Sequence, residues 1–163
     1  MRILLPKKGG VKDKKLVEFI CYCLNPNHFH FILEQVSDRG IEKFMQRFGT
    51  GFTKYFNQKH KRDGSLFQGT YKAIHVDDNN YLLHLSAYVN LNNHAHQLGS
   101  LASKLIKSSW DEYTTDTTGF SKKEIILDQF KNKEEYKAFA EEALISILEK
   151  KQTDKELAKD LID

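Results

Sequence analysis

The chain has 163 residues, of which 40% are hydrophobic and 29% charged, enough for one domain with a buried core and unlike a disordered or low-complexity chain. No apolar run approaches the roughly 18 residues of a membrane-spanning helix, and Ile3-Leu4-Leu5 is too short for a secretory signal, so the cytoplasm is the expected compartment. The net charge of +3 is uneven: residues 1–76 hold 14 Lys/Arg against 6 Asp/Glu, and residues 77–163 hold 11 against 16. Such a split points to an anionic partner for the first half, or to nothing more than an uneven solvated surface.

The first 15 residues are basic and contain glycine, and read as an arm or loop. "KLVEFICYCLN" (Lys15–Asn25) and "HFHFILEQV" (His28–Val36) are rich in β-branched and aromatic residues and predict two strands. Asn25-Pro26-Asn27 between them is turn chemistry, so the pair should form an antiparallel hairpin. Alternation then puts His28 and His30 on one face and Phe29 and Phe31 on the other. Two imidazoles held that way can bind a metal, bind a phosphate, or simply line a half-exposed sheet. Cys21 and Cys23 are too close on one strand for a good disulfide and fit a reducing compartment as small buried hydrophobes. With the two histidines they could also form a zinc set, although C-x-C and H-x-H on paired strands line up along a face and not around a tetrahedron.

From Asp38 to Arg62, Ile41, Phe44, Met45, Phe48, Phe52, Tyr55 and Phe56 keep a helical rhythm, and Gly49 and Gly51 mark a weak middle or a close approach. The opposite face carries Lys43, Arg47, Lys54, Lys59, Lys61 and Arg62, which could track a nucleic-acid backbone. "SLFQGTYKAIHV" (Ser65–Val76) predicts a bent strand or short hairpin, with Lys72 a further basic candidate for contact with the same backbone. Asp77 and Asp78 are N-cap candidates for a helix running towards Gly99. On it Tyr81, His84, Tyr88 and Asn92 share a face. If that face lies over the two histidines, Asn92 can supply an oxygen to a shared metal and Tyr88 can reach a phosphate held there. Trp110 is expected to anchor the following segment, Ser121–Glu124 has capping-box spacing, and Phe130 and Tyr136 through Leu148 mark C-terminal helices.

Four of these stretches resemble one family. "NPNHFHFIL" looks like the histidine–bulky hydrophobe–histidine motif of single-strand DNA transposases. "GSLFQGTYKAIHV", "HLSAYVNLNN" and "KSSWDEY" resemble three further motifs of the same family, in the same order, over roughly residues 16–113. The subgroup is the REP-associated tyrosine transposases. The resemblance implies an α+β, ferredoxin-like core (residues 1–113), an antiparallel sheet with helices on one face, and a C-terminal helical extension (114–163). It implies His28, His30 and Asn92 as ligands of Mg²⁺ or Mn²⁺ and Tyr88 as nucleophile, with Tyr71 and Tyr81 the nearest rivals. The implied reaction is cleavage and rejoining of single-stranded DNA beside a hairpin through a 5′-phosphotyrosine, by a monomer or a homodimer.

The chain departs from the family at Asn93, where a proline is usual, and in the residues before His28, which do not resemble the family's first strand and helix. An N-terminally shortened protein is the expectation, and it would leave a sheet edge uncovered. The alternatives are a non-catalytic protein that binds hairpin DNA without a covalent adduct, and a structural zinc module.

Overall fold

The computed structural model describes residues 14–92 and 106–160. Strands β1 (Val17–Leu24) and β2 (Phe29–Gln35) pair antiparallel around the Pro26-Asn27 loop, with Asn25 N–H donating to the His28 carbonyl at 2.9 Å. A two-residue strand, β3 (Lys107–Ser108), joins the other edge of β1, giving the order β2-β1-β3. The register slips between Phe19 and Cys21, which leaves Ile20 as an extra residue on β1. Beyond this bulge Cys21 faces Ile32 and Cys23 faces His30, while Tyr22 faces Phe31 and Leu24 faces Phe29.

Each face therefore has its own chemistry. Helix α1 (Gly40–His60) covers the aromatic face, where Phe19 meets Phe44 edge-on at 5.3 Å and Phe29 meets Phe48 at 5.3 Å. Helix α2 (Asn79–Asn90) packs on the cysteine face, and Ala87, Val89 and Leu91 join Cys21, Cys23 and Ile32 in one buried cluster. The Asp78 carboxylate caps α2 by accepting from Tyr81 N–H at 2.7 Å. The α+β class, the antiparallel sheet and the C-terminal helices are as expected, but the helices are not confined to one face: α1 packs on the aromatic side and α2 on the cysteine side. The stretch expected beyond Asn92 towards Gly99 lies outside the described residues.

Three C-terminal helices complete the structure: α3 (Trp110–Thr114), α4 (Glu124–Leu127) and α5 (Lys133–Asp160). Tyr136, Ala140 and Ala143 of α5 are buried in the same cluster as Cys21 and Ala87, so the C-terminal helix completes the core that the sheet begins. The anchor after β3 is Tyr113, fully buried with its hydroxyl donating to the Ile20 carbonyl at 2.8 Å, whereas Trp110 is only half-buried. The expected strand over Ser65–Val76 does not form. Residues 66–69 bend and 70–78 have no regular structure, because a strand needs a hydrogen-bonded neighbour and the order β2-β1-β3 gives them none among the described residues. The Ser121–Glu124 box does not close either: Glu112 takes the Ser121 N–H at 3.0 Å, and α4 has no side-chain cap.

The close approach sits at Gly40, not at Gly49 or Gly51. A Cβ on Gly40 would lie 2.1 Å from the Leu16 carbonyl oxygen, while nothing stands within 4 Å of one at Gly49 or Gly51.

Candidate active site

The hairpin loop delivers the histidines. His28 precedes β2, His30 lies on it, and their rings meet edge to face with centroids 5.1 Å apart on the face that α2 covers. Between them Phe29 turns the other way, stacked on Phe31 at 4.6 Å, so packing beneath α1 fixes the strand that carries both imidazoles.

Tyr88 comes from the last turn of α2, and its ring lies 5.6 Å from that of His30. Asn92 stands just past the end of the helix and is fully buried. Its Oδ1 accepts from Asn25 Nδ2 at 2.8 Å, and the same Asn25 nitrogen lies 3.0 Å from His28 Nε2. His28 Nδ1 in turn pairs with Asn27 Oδ1 at 2.7 Å. The four side chains named as nucleophile and ligands thus come together: His28, His30 and Tyr88 through ring contacts, and Asn92 through Asn25.

The donors gathered here are two imidazoles and an amide oxygen. Among the described residues, no three His, Cys, Asp or Glu side chains cluster as a metal site, so the histidine pair needs a ligand of another type. Asn92 fits that need in its orientation: Oδ1 points to the His28 side, at the cost of leaving its buried Nδ2 without a hydrogen-bond partner among the described residues. Two imidazoles and an amide oxygen suit Mg²⁺ or Mn²⁺ completed by water and phosphate oxygens.

The cysteines belong to the core. Both are reduced thiols and fully buried, and burial pushes the Cys21 thiol up to about 12 despite its hydrogen bond with Tyr113.

Two cavities open onto His30. One, of about 570 Å³, is lined by Asn25, His28, His30, Tyr71 and Lys72, with Phe48, Phe52 and Phe56 of α1 as its apolar wall. The other, of about 240 Å³, holds His30, Tyr71, Lys72, Tyr81 and Tyr88. Lys72 is therefore the one DNA-contact candidate that lines both. Lys43 and Arg47 line a separate hollow with Leu16, Ser37 and Asp38, and Lys43 Nζ donates to the Asp38 carbonyl at 2.7 Å. Lys54 lines a third cavity, of about 870 Å³, with Phe67 and Gln68. Lys59 lies over the Tyr55 ring and Arg62 over the Phe56 ring, both exposed like Lys61 at the far end of α1. Of the rival tyrosines, Tyr71 and Tyr81 line these cavities with about two-fifths of their surface exposed. His84 is turned away, against Phe139 at 5.0 Å.

Sequence reasoning missed Asn25 and Asn90. In the sequence Asn25 reads only as a turn residue, whereas the structure sets its side chain at the mouth of the histidine face, against Cys23 Sγ and His28 Nε2. Asn90 lies between Tyr88 and Asn92. It is fully buried, donating to the Tyr136 hydroxyl at 2.9 Å and accepting from Ser109 Oγ at 2.5 Å, and it locks the end of α2 to α5 and to the turn after β3. Its signal in the sequence was an asparagine on the apolar side of a helix.

The fold and the site define a class: an antiparallel α+β domain with a two-histidine, one-tyrosine centre beside basic, aromatic-walled cavities. A family model described as "Transposase IS200 like" matches residues 7–93, more than half of the chain, and the chain belongs to that family, which works in DNA transposition. No curated protein and no solved structure matches. No helix among the described residues is long and apolar enough to cross a membrane.

Proposed function

We propose that the chain is a metal-dependent, single-stranded DNA transposase that cleaves and rejoins DNA beside a hairpin through Tyr88. The observation that carries this reading is the approach of the Tyr88 ring to His30, with His28 and Asn92 gathered at the same sheet face. Tyr88 supplies the hydroxyl that attacks the scissile phosphorus. The tyrosine O–P bond forms as the P–O3′ bond breaks, leaving a 5′-phosphotyrosine and a 3′-hydroxyl, and the tyrosine proton passes to solvent or to the departing oxygen. Attack by the 3′-hydroxyl on the phosphotyrosine reverses the step, so no nucleotide cofactor is consumed. His28, His30 and Asn92 would hold a divalent ion whose charge stabilises the phosphoryl oxygens in the transition state. Lys72, between the two cavities, meets the DNA backbone, and the exposed basic residues of α1 extend that contact.

The test is a denaturing gel of the protein with hairpin-bearing single-stranded DNA and Mn²⁺. A covalent protein–DNA band that is lost with chelator and in Tyr88→Phe is the expected result. A band that persists in Tyr88→Phe and disappears in Tyr71→Phe or Tyr81→Phe would move the nucleophile. Hairpin binding without any band would make the chain a non-catalytic DNA-binding protein.

A further inference from the structure

We propose that Asn27 is a positioning residue that holds His28 in its Nδ1–H tautomer, so that Nε2 is the nitrogen His28 offers to the site. The inference rests on the metal site read above from His28, His30 and Asn92, and it says which lone pair His28 contributes there. A neutral imidazole carries its proton on one nitrogen and a lone pair on the other, and the partner of one nitrogen fixes the character of the second. His28 Nδ1 lies 2.7 Å from Asn27 Oδ1, and its Nε2 lies 3.0 Å from Asn25 Nδ2. An amide oxygen accepts and an amide nitrogen donates. Nδ1 is therefore the protonated nitrogen and Nε2 the bare one.

The opposite tautomer would set a bare Nδ1 against the Asn27 oxygen and an Nε2–H against the Asn25 N–H₂, two repulsive contacts in place of two hydrogen bonds. The directions are also held from outside the ring. Cys23 Sγ donates weakly to Asn25 Oδ1 at 3.8 Å, which turns the oxygen of that amide away from the histidine. The Asn25 Nδ2 that meets His28 also donates to Asn92 Oδ1 at 2.8 Å, so the Nε2 lone pair and the Asn92 oxygen are turned to the same place. Asn25 N–H donates to the His28 carbonyl at 2.9 Å, which closes the backbone of the loop that carries Asn25, Asn27 and His28. Asn27 is exposed, so its side chain serves the imidazole and not the core. A metal-ligating histidine commonly donates from its other nitrogen to an acceptor of this kind, which fixes the ring and makes the ligating nitrogen more basic. Asn25 N–H holds the Nε2 lone pair here, and an ion that takes that lone pair replaces this hydrogen bond.

The experiment is long-range proton–nitrogen NMR of the full chain with ¹⁵N-labelled histidine, free of DNA and metal and at a pH where the ring is neutral. It reads which ring nitrogen carries the proton, and His28 is assigned by the signal lost in His28→Gln. Wild type should show His28 with a protonated Nδ1 and a bare Nε2. Asn27→Ala should move the ring towards the Nε2–H form, and the double variant Asn25→Ala/Asn27→Ala should move it further. Asn27→Asp still accepts and should keep the wild-type pattern. The His30 tautomer and the circular dichroism melt should stay as in wild type, which separates a lost hydrogen bond from a loosened fold. A wild-type His28 in the Nε2–H form, or an Asn27→Ala pattern identical to wild type, would overturn the role of Asn27 whatever the metal does. Mn²⁺ binding, read by electron paramagnetic resonance of the free ion, tests what the tautomer is for. Asn27→Ala should bind about tenfold or more weakly than wild type, and Asn27→Asp at least as tightly. Equal affinity of Asn27→Ala and wild type would overturn the service of Asn27 to the site. A wild type that binds no Mn²⁺ would instead overturn the metal reading itself, even with the tautomer as stated.

Discussion

Replacing Asn90 by alanine tests whether the end of α2 is held by its buried polar hub. The side chain makes two strong hydrogen bonds, to Tyr136 at 2.9 Å and from Ser109 at 2.5 Å, and a weak contact with Cys21 Sγ at 3.8 Å. Its loss strands no neighbour: the Tyr136 hydroxyl keeps Ser86 Oγ at 3.2 Å, and Ser109 Oγ keeps the Tyr22 N–H at 2.9 Å. Two net hydrogen bonds at about 1 kcal/mol each, with a cavity contribution of similar size, give a loss of about 2–4 kcal/mol. That is a large share of the roughly 5–15 kcal/mol that holds a domain of this kind folded. Tyr136→Phe breaks the shared bond and the contact of the hydroxyl with Ser86 Oγ, and leaves the Asn90 amide with the sulfur, costing about 1–2 kcal/mol. Because the two residues are direct partners, the double variant should be less destabilised than the sum of the singles by about 1 kcal/mol. Urea unfolding followed by circular dichroism measures all three. Additive losses, or an Asn90→Ala loss well under 1 kcal/mol, would refute the hub.

Three further outcomes can be checked with the same protein. Gly49→Ala should stabilise by about 0.5–1 kcal/mol as a mid-helix replacement with open space around it, whereas Gly40→Ala should destabilise by at least about 1–3 kcal/mol because its Cβ would strike the Leu16 carbonyl; chemical denaturation that ranks them the other way would refute this. The Cys21 thiol is raised by burial from 9.0 to about 12, so the folded state keeps it neutral where the unfolded chain ionises. Its contribution to stability is whole below pH 9 and is lost as pH climbs towards 12, and burial raises Tyr113 and Tyr136 in the same direction. Melting temperature should fall across that range, and the two thiols should resist aromatic disulfide reagents at pH 8 until denaturant is added; rapid labelling of native protein would contradict their burial. Lys72→Ala should lower hairpin-DNA affinity and flatten its logarithmic salt dependence by about 0.7, more than Lys43→Ala, whose ammonium is engaged with the Asp38 carbonyl. Equal salt slopes for the two variants would refute the placement of DNA over the histidine cavities.

The hairpin was legible because its signals are local. Alternation, a turn dipeptide and β-branched residues fix two paired strands, and pairing them puts His28 and His30 on one side whatever happens elsewhere. Both main helices followed from periodicity in the same way. The failures have a common physical cause, which is competition from residues far away in sequence. Ser121–Glu124 has the spacing of a capping box, yet a carboxylate nine residues upstream takes the Ser121 N–H. Ser65–Val76 has strand composition, but a strand exists only beside another, and these residues have no such neighbour among those described. Glycine spacing suggested a close approach in the middle of α1, while the real one at Gly40 depends on the backbone path of Leu16, which no local pattern encodes.

The site divides along the same line. His28, His30 and Tyr88 could be named because two sit on a strand and one on a periodic helix, and the remaining unknown was which helix face met which sheet face. The bulge at Ile20 bears on that answer, since it sets Cys21 and Cys23 on the histidine face, where Ala87, Val89 and Leu91 can bury them. Packing of those apolar residues places the end of α2 over the hairpin loop, and only then does Asn92 meet Asn25. Asparagine in a turn is ordinary, and asparagine at a helix end is equally so. Their meeting at His28 is a tertiary event, and it turns two residues of weak individual meaning into one hydrogen-bonded polar cluster at the histidine face.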